Sequence, residues 1–376
     1  LYIFLGFFVK IYAYIKGQRI TLNTKIKRPA IILSNHTSFY DFIYTTAAIY
    51  PNRVSYLAAN KMFYEPLTGF FLRLARAIPK SLMQADPVAT IKAFRILKKK
   101  GILSIFPEGQ ISPTGTLLKP SFSIAKFLKK ASVDVYIVKH KGAYLVNPPW
   151  TKKTFKGIIE TEKFLLLTKE EIIKLSLDDI YNKVCEKLYV STSTFSKESK
   201  YLYKKNDIAN LENVIYQCPS CQHEGLIAKF DYLECPICSK HLVYDQKGLL
   251  NGFGIDELFK IQENNVKKEI DQNLDYAIKS NVRLMSFRNQ RLVDVGSGKL
   301  TLSRFQYVYE GTIDKVFQKM TFNVSSTPTL PSDIGRNIQI YEGYQIYQFE
   351  MDLRFLPTKF VHAGEYLYQL NEKTKK

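Results

Sequence analysis

The sequence predicts an α/β domain with a mixed sheet flanked by helices, followed by a small cysteine ribbon and a β-rich C-terminal module. Three observations lead there. Short apolar runs alternate with longer helical patterns from residue 30 to about 165, the mark of strand–helix repeats. Four cysteines, Cys218, Cys221, Cys235 and Cys238, form two C-x-x-C pairs. Beyond about residue 283, alternating segments separated by polar or glycine-containing turns read as antiparallel strands.

The first segment, Leu1 to Val9, is apolar apart from Gly6 before Lys10 interrupts it. Continued to Lys16, it falls short of the roughly 18 apolar residues of a membrane span, so an interfacial helix is expected, with a buried core helix as the alternative. No small-residue cleavage site follows, and Gln18, Arg19, Lys25, Lys27 and Arg28 come next, which argues against a signal peptide. The chain opens with Leu1 rather than Met, which leaves room for a missing N-terminus. Strands are expected at Ala30–Leu33, Val54–Ala58, Ala77–Pro79, Ile102–Phe106, Val133–Val138 and Phe155–Thr161. Helices are expected at Phe39–Ile49 and Pro87–Lys99, the second opening on a proline suited to a first turn and stopping at Gly101. A helical pattern runs from Lys169 to Tyr189, and Ser191–Asp207 reads as a linker. The cysteine module fills 216–245, a helix spans Asp256 to Ile278, and further strands are expected at Lys299–Leu302, Phe305–Tyr309, Asn337–Tyr341 and Tyr344–Met351, with a last helix from Thr358 to Glu372. The domains are accordingly set at 1–192, 193–250 and 251–376.

Of 376 residues, 46% are apolar and 14% aromatic, which excludes a disordered chain. With 54 Lys+Arg against 34 Asp+Glu the formal charge is +20. That predicts an anionic partner: a nucleic acid, an acidic membrane face or a phosphorylated substrate. Four of the five cysteines stand in C-x-x-C pairs, which favours metal over disulfides and a reducing compartment.

At the end of the first expected strand stands Ser34-Asn35-His36-Thr37-Ser38-Phe39-Tyr40-Asp41. An aspartate in the first helical turn can fold back to the Nδ1–H of a histidine in the preceding turn, fixing its tautomer and aiming Nε2 at a substrate hydroxyl. The substrate would supply the nucleophile of a triad. A second turn, Phe106-Pro107-Glu108-Gly109-Gln110-Ile111-Ser112, follows the strand Ile102–Phe106. Turns at the ends of strands in an open α/β sheet gather where ligands bind. There Gly109 admits close backbone approach, Glu108 offers a carboxylate and Ser112 a hydroxyl.

Together, in this order and about seventy residues apart, the two motifs resemble the N-H-x4-D and F-P-E-G-x-x-S blocks of the glycerolipid acyltransferases, in particular the 1-acylglycerol-3-phosphate acyltransferases. The resemblance covers about residues 1–190. It implies that His36 is the general base on the acceptor hydroxyl and that Asp41 orients it. It further implies that the Glu108-Gly109 turn and Ser112 help bind the acceptor, and that the acyl group comes directly from acyl-CoA or acyl carrier protein to give phosphatidic acid. Lysophosphatidic acid is the favoured acceptor, with glycerol 3-phosphate or another lysophospholipid as alternatives. Many members carry a phosphate-binding arginine where this chain has Leu82 and Met83, and another before the serine, where it has Ile111. Lys80 is the leading substitute, and Arg76, Lys61 and Lys119 are further candidates. In the fourth block His140 reads as a rim residue. The enzyme is expected to be peripheral or monotopic at the cytoplasmic face of a membrane with anionic lipid.

Cys218-Pro219-Ser220-Cys221, thirteen residues, then Cys235-Pro236-Ile237-Cys238 resembles a zinc ribbon. Four thiolates leave no open coordination position, so the zinc would be structural. His223 and His241 lie close by but are not needed, and Cys185 reads as a buried helix residue. A rival reading, an inactive acyltransferase scaffold that binds nucleic acid or membrane through its ribbon, is disfavoured for nucleic acid: Lys229 is the one cation between Cys218 and Cys238. The region from about 283 onward faintly resembles a pleckstrin-homology-like or GRAM-like domain, with a plain β-sandwich as the alternative.

Overall fold

The computed structural model describes residues 2–64, 66–80, 86–204, 207–288, 291–343 and 345–374. Ser81, Leu82 and Met83 and the side chain of Lys61 lie outside the described residues. The chain forms two compact units, Leu1–Asn206 with Asp245–Gly254, and Asp207–Tyr244 with Ile255–Lys376. The cysteine module thus groups with the C-terminal sheet.

The first unit runs α1 (Tyr2–Ile15), β1 (Gln18–Asn23), β2 (Ala30–Ser34), α2 (Asp41–Ile49), β3 (Val54–Ala59), α3 (Pro66–Leu74), β4 (Ile78–Lys80), α4 (Pro87–Lys98), β5 (Ile102–Ile105), α5 (Ser123–Ala131), β6 (Asp134–Lys141), α6 (Ala143–Val146), β7 (Ile159–Leu167), α7 (Lys169–Lys174), α8 (Leu177–Leu188) and α9 (Thr192–Glu198). The strands form one sheet in the order β1-β7-β6-β2-β5-β3-β4, parallel throughout except at β6 and β7. Strands β2 and β5 are buried at every residue, as expected of central strands covered on both faces by helices. Asp86 caps α4 by accepting from the Ala89 N–H, Pro87 opens its first turn, and Ala89, Ala93 and Leu97 make its inward stripe.

Three expectations about helices and strands of the first unit are corrected. The pattern Lys169–Tyr189 is two helices, because Thr168 with Glu171 and Ser176 with Asp179 each form a capping box that restarts the chain. Part of the expected linker is α9, whose N-terminus Ser191 caps through the Thr194 N–H. The last strand lies at Ile159–Leu167 rather than Phe155–Thr161, since burial alternates from Ile159 onward while Phe155 is a core residue ahead of it.

Helix α1 inverts the usual pattern. Its small residues Gly6 and Ala13 are buried, a Cβ on Gly6 would come within 2.9 Å of the Tyr50 ring, and Ile3, Phe4, Phe7, Phe8, Ile11 and Ile15 face outward. No helix among the described residues is long and apolar enough to cross a membrane.

The second unit begins with a three-stranded sheet of β8 (Ile227–Ala228), β9 (Tyr232–Glu234) and β10 (His241–Val243), followed by α10 (Ile255–Gln272). Then come β11 (Ala277–Arg288), β12 (Arg291–Ser303), β13 (Gln306–Ile313), β14 (Val316–Asn323), β15 (Ser332–Asp333), β16 (Asn337–Glu342), β17 (Gln345–Met351) and α11 (Leu356–Thr374). These strands form an antiparallel sheet in the order β14-β13-β12-β11-β17-β16-β15. Leu284, Leu300, Tyr309 and Phe349 of the sheet pack with Val266 and Ile270 of α10 and Phe360 and Leu367 of α11. The expected helix to Ile278 ends earlier, at Gln272, and β11 takes residues from Ala277, where exposed and buried positions alternate.

Candidate active site

The register of the sheet brings the two motifs together. Leu33 pairs with Ile105 on one side and Ser34 with Val138 on the other, so the chain leaving β2 runs on between the chains leaving β5 and β6. Because these three strands are parallel, their C-terminal turns share one edge.

At that edge the His36 Nδ1 lies 3.2 Å from Asp41 Oδ2. The same oxygen accepts the backbone N–H groups of Thr37 at 2.7 Å and Ser38 at 2.8 Å, and Asp41, the first residue of α2, is fully buried. The carboxylate is therefore held by its own turn before it meets the imidazole. The His36 side chain is 21% exposed. One ring face stacks on Phe106, centroids 4.4 Å apart, and Phe106 in turn lies parallel to Tyr56. With Nδ1 engaged, Nε2 is the nitrogen left for a substrate.

The second motif holds the first in place. Glu108 Oε1 accepts the His36 backbone N–H at 2.6 Å, and Oε2 accepts that of Leu118 at 2.9 Å. The Ser112 N–H donates to the His36 carbonyl at 2.9 Å. Both peptide groups of His36 are thus satisfied by the turn after β5. Burial pushes the Glu108 carboxyl well above its usual range, against the pull of the two N–H donors, with nearby Asp41 adding to the rise. The Ser112 hydroxyl is buried and closes its own loop, donating to the Thr116 carbonyl at 2.6 Å and accepting from Gly115 N–H at 3.1 Å. Glu108 and Ser112, expected to face the acceptor, therefore spend their polar atoms on the protein's own backbone. Gly109 is exposed at φ +74°, a left-handed conformation that glycine adopts without strain.

Lys80 ends β4, half-buried, and burial lowers its pKa while Asp86 opposes the shift. Arg76 and Lys119 are exposed. His140 is not a rim residue: it is fully buried on β6, because its ring points inward between α2 and β7. Sequence reasoning assigned it no function, and its signal was an isolated histidine at a strand end.

In the second unit, Cys218 Sγ lies 3.6 Å from Cys238 Sγ and Cys221 Sγ 3.5 Å from Cys235 Sγ. All four sulfurs fall within 4.8 Å of one another. A tetrahedral zinc with Zn–S of about 2.3 Å needs sulfurs about 3.8 Å apart, so the donor set fits that ion. The two halves repeat one turn: Gln222 N–H donates to the Cys218 carbonyl and Ser239 N–H to the Cys235 carbonyl, with Gln222 and Ser239 both at positive φ. His241 stacks on Tyr232 and leans towards Glu234. Cys185 is half-buried on α8.

A family model described as Acyltransferase matches residues 16–140, the span that contains His36, Asp41, Glu108 and Ser112. The 1-acyl-sn-glycerol-3-phosphate acyltransferase of Bacillus subtilis (strain 168) is 22% identical over 165 residues, 41% of this chain and 82% of the relative. Among solved structures, the 1-acyl-sn-glycerophosphate acyltransferase of Thermotoga maritima aligns over 49% of this chain and 79% of its own at 19% identity and TM-score 0.39. An SsgA-like sporulation-specific cell division protein of Thermobifida fusca aligns over 27% of this chain and 96% of its own at 12% identity and TM-score 0.17. Residues 16–140 thus match an acyltransferase domain, and the Bacillus subtilis relative, to which the chain is similar, is a 1-acyl-sn-glycerol-3-phosphate acyltransferase.

Proposed function

We propose that this protein transfers a fatty acyl group from a thioester donor, acyl-CoA or acyl carrier protein, to the free hydroxyl of 1-acylglycerol 3-phosphate at a membrane surface. The observation that carries the reading is the His36–Asp41 pair, with its carboxylate pre-held by two backbone N–H groups.

His36 Nε2 takes the proton of the acceptor hydroxyl as its oxygen bonds to the thioester carbonyl carbon. Asp41 keeps Nδ1 protonated and stabilises the imidazolium that forms. The tetrahedral intermediate then collapses, the C–S bond breaks, and the departing thiolate recovers the proton from His36. No acyl-enzyme is needed. Glu108 and Ser112 act by fixing the His36 backbone. Lys80, at the end of a strand on the same sheet, is the leading candidate for the acceptor's phosphate.

Membrane association is supported by the outward apolar face of α1, where Phe4 is 64% and Phe8 52% exposed. Lys10, Lys16 and Arg19 are the cations that would meet anionic headgroups. Phe39, between the two dyad residues in the chain, and Phe42, next after Asp41, are exposed as well and would add apolar surface there. In the second unit, zinc would tie the two cysteine turns together as a structural ion, with Cys218, Cys221, Cys235 and Cys238 as ligands.

The test is purified protein with labelled acyl-CoA and acyl carrier protein against a panel of lysolipids and glycerol 3-phosphate. Transfer to lysophosphatidic acid that disappears in His36→Ala supports the reading. Equal transfer by a folded His36→Ala protein refutes it and favours a binding scaffold.

A further inference from the structure

Beneath the dyad runs a line of buried polar groups that the transfer chemistry does not touch. Gln18, Ser34, Thr45, His140 and Thr161 are all buried, and their hydrogen bonds form a single path. Gln18 Nε2 donates to the Tyr44 carbonyl at 2.8 Å and to Thr161 Oγ1 at 2.9 Å. Thr161 Oγ1 lies 3.0 Å from His140 Nδ1, and His140 Nε2 lies 2.9 Å from Thr45 Oγ1. Thr45 Oγ1 is 3.2 Å from Ser34 Oγ, which donates to the Val138 carbonyl at 2.6 Å.

The ends of this path fix its direction. The Gln18 amide must turn its NH₂ inward because the Tyr44 carbonyl can only accept. The Val138 carbonyl likewise can only accept, so the Ser34 proton is committed to it. Each hydroxyl between them then accepts once and donates once: Thr161 donates to Nδ1, Nε2–H donates to Thr45, and Thr45 donates to Ser34. The balance closes only with a neutral His140 carrying its proton on Nε2. Burial agrees, lowering the pKa of this ring to about 4 against the opposing pull of Asp41.

His140 also grips the catalytic turn through its backbone. The Asn35 amide donates to the His140 carbonyl at 3.0 Å and accepts its N–H at 2.8 Å, so a side chain continues the β2–β6 ladder past Ser34. Asn35 immediately precedes His36. Thr45, the partner of the ring, sits four residues after Asp41 on α2 and so shares its helix face.

We infer that the His140 ring is a positioning group for the dyad, holding Asp41 and its helix through Thr45, while the backbone at 140 holds the His36 turn through Asn35. The inference rests on the reading of His36 and Asp41 as base and orienting carboxylate. It goes beyond it by assigning a task to a strand-end histidine that never meets substrate.

Three substitutions separate the two legs of the ring. His140→Gln keeps a donor near the Nε2 position, His140→Asn keeps an acceptor near Nδ1, and His140→Phe keeps the ring volume with neither. Because an error of about 1 Å in a catalytic group can cost about 10²-fold, His140→Phe should lower kcat by about 10²-fold with KM for donor and acceptor nearly unchanged. His140→Gln should retain the most activity of the three, since it preserves the bond to α2. Selective ¹⁵N-histidine NMR supplies a readout independent of turnover: in the wild-type protein His140 should show the neutral Nε2–H form at neutral pH, and His140→Phe should reduce the Nδ1–H signature of His36. A charged or Nδ1–H His140, or a folded His140→Phe protein with wild-type kcat and an unchanged His36 signal, would overturn the inference. Should His140→Phe not fold, the wild-type spectrum and the near-isosteric Thr45→Val, expected to lower kcat and not KM, decide the matter. Wild-type protein that transfers no acyl group would sink the proposed reaction alone, because the His36 tautomer still reports whether His140 positions it.

Discussion

Asp41→Asn should slow the reaction without moving the histidine. In many His–Asp pairs an amide would flip the imidazole tautomer, because its NH₂ can turn towards the ring. Here Oδ2 already accepts the Thr37 and Ser38 N–H groups as well as facing Nδ1, while Oδ1 has no hydrogen-bond partner. An asparagine therefore keeps its oxygen at the Oδ2 position and places its NH₂ where Oδ1 was. The tautomer survives and the charge is lost.

The size of that loss follows from the 3.2 Å separation. A full imidazolium–carboxylate attraction there is about 5 kcal/mol at an effective dielectric of about 20. With about half the proton transferred at the transition state, about 2–3 kcal/mol disappears, close to 10²-fold in kcat. Asp41→Ala should do more harm, because it also strands two buried N–H groups at about 1–3 kcal/mol each, and that loss should appear as a lower Tm. Steady-state kinetics with melting curves on both variants give the test. Wild-type kcat in Asp41→Asn, or a loss confined to KM, would refute the assignment of Asp41.

Four further outcomes are expected. Phe4→Ser with Phe8→Ser should reduce co-sedimentation with anionic vesicles while leaving transfer to detergent-dispersed acceptor intact; unchanged binding would place the membrane contact elsewhere. Lys80→Ala should raise the acceptor's apparent KM well beyond the donor's, and equal effects would count against a phosphate contact. Cys218→Ser should abolish bound zinc by elemental analysis and render 216–245 protease-sensitive, since metal binding in small modules supplies about 10–16 kcal/mol of folding energy, yet leave His36-dependent transfer at least partly active. Glu365, whose carboxyl burial raises to about 7, holds a proton in the folded state that the unfolded state has already released between about pH 4.5 and 7. Stability of the second unit should thus fall as pH rises across that window; Glu365→Gln should flatten the decline, and an unaltered pH–stability curve would refute it.

How much of this could be read from the chain depends on where the information resides. The runs Ala30–Leu33 and Ile102–Ile105 announce themselves because a strand buried on both faces must be apolar throughout. Edge strand β1 does not, since its apolar Ile20 and Leu22 face outward and its partner lies far along the chain. The break between α7 and α8 was available in Thr168-x-x-Glu171 and Ser176-x-x-Asp179, whose capping boxes outrank the helical period that ran through them. His36 and Asp41 were legible because their contact is local. Glu108 was visible as a carboxylate in a turn, but its two backbone donors are supplied by sheet register and loop closure. The role inferred for His140 depends on ring contacts to Thr45 on α2 and Thr161 on β7, elements far apart in the chain, which no local pattern encodes.

That division bears on what distinguishes this chain from the acyltransferases it resembles. The tie from the third block to His36 is made by the Ser112 N–H and the Glu108 carboxylate, and neither depends on the side chain at position 111. Ile111, where many relatives are expected to hold a phosphate-binding arginine, can therefore vary without loosening His36. The geometry that would serve the proposed proton transfer is present, while an arginine at position 111 is not. Under the proposed reaction, acceptor recognition would then fall to other cations around the edge of the sheet. Lys80 is suited to it in one further respect: partial burial lowers its pKa and weakens its hydration, so a phosphate arriving there displaces less water than it would at exposed Arg76 or Lys119. If Lys80 makes the headgroup contact as proposed, the chain should discriminate sharply by the presence of the phosphate and only weakly by its ester, so lysolipids lacking a terminal phosphomonoester should be poor acceptors chiefly through KM.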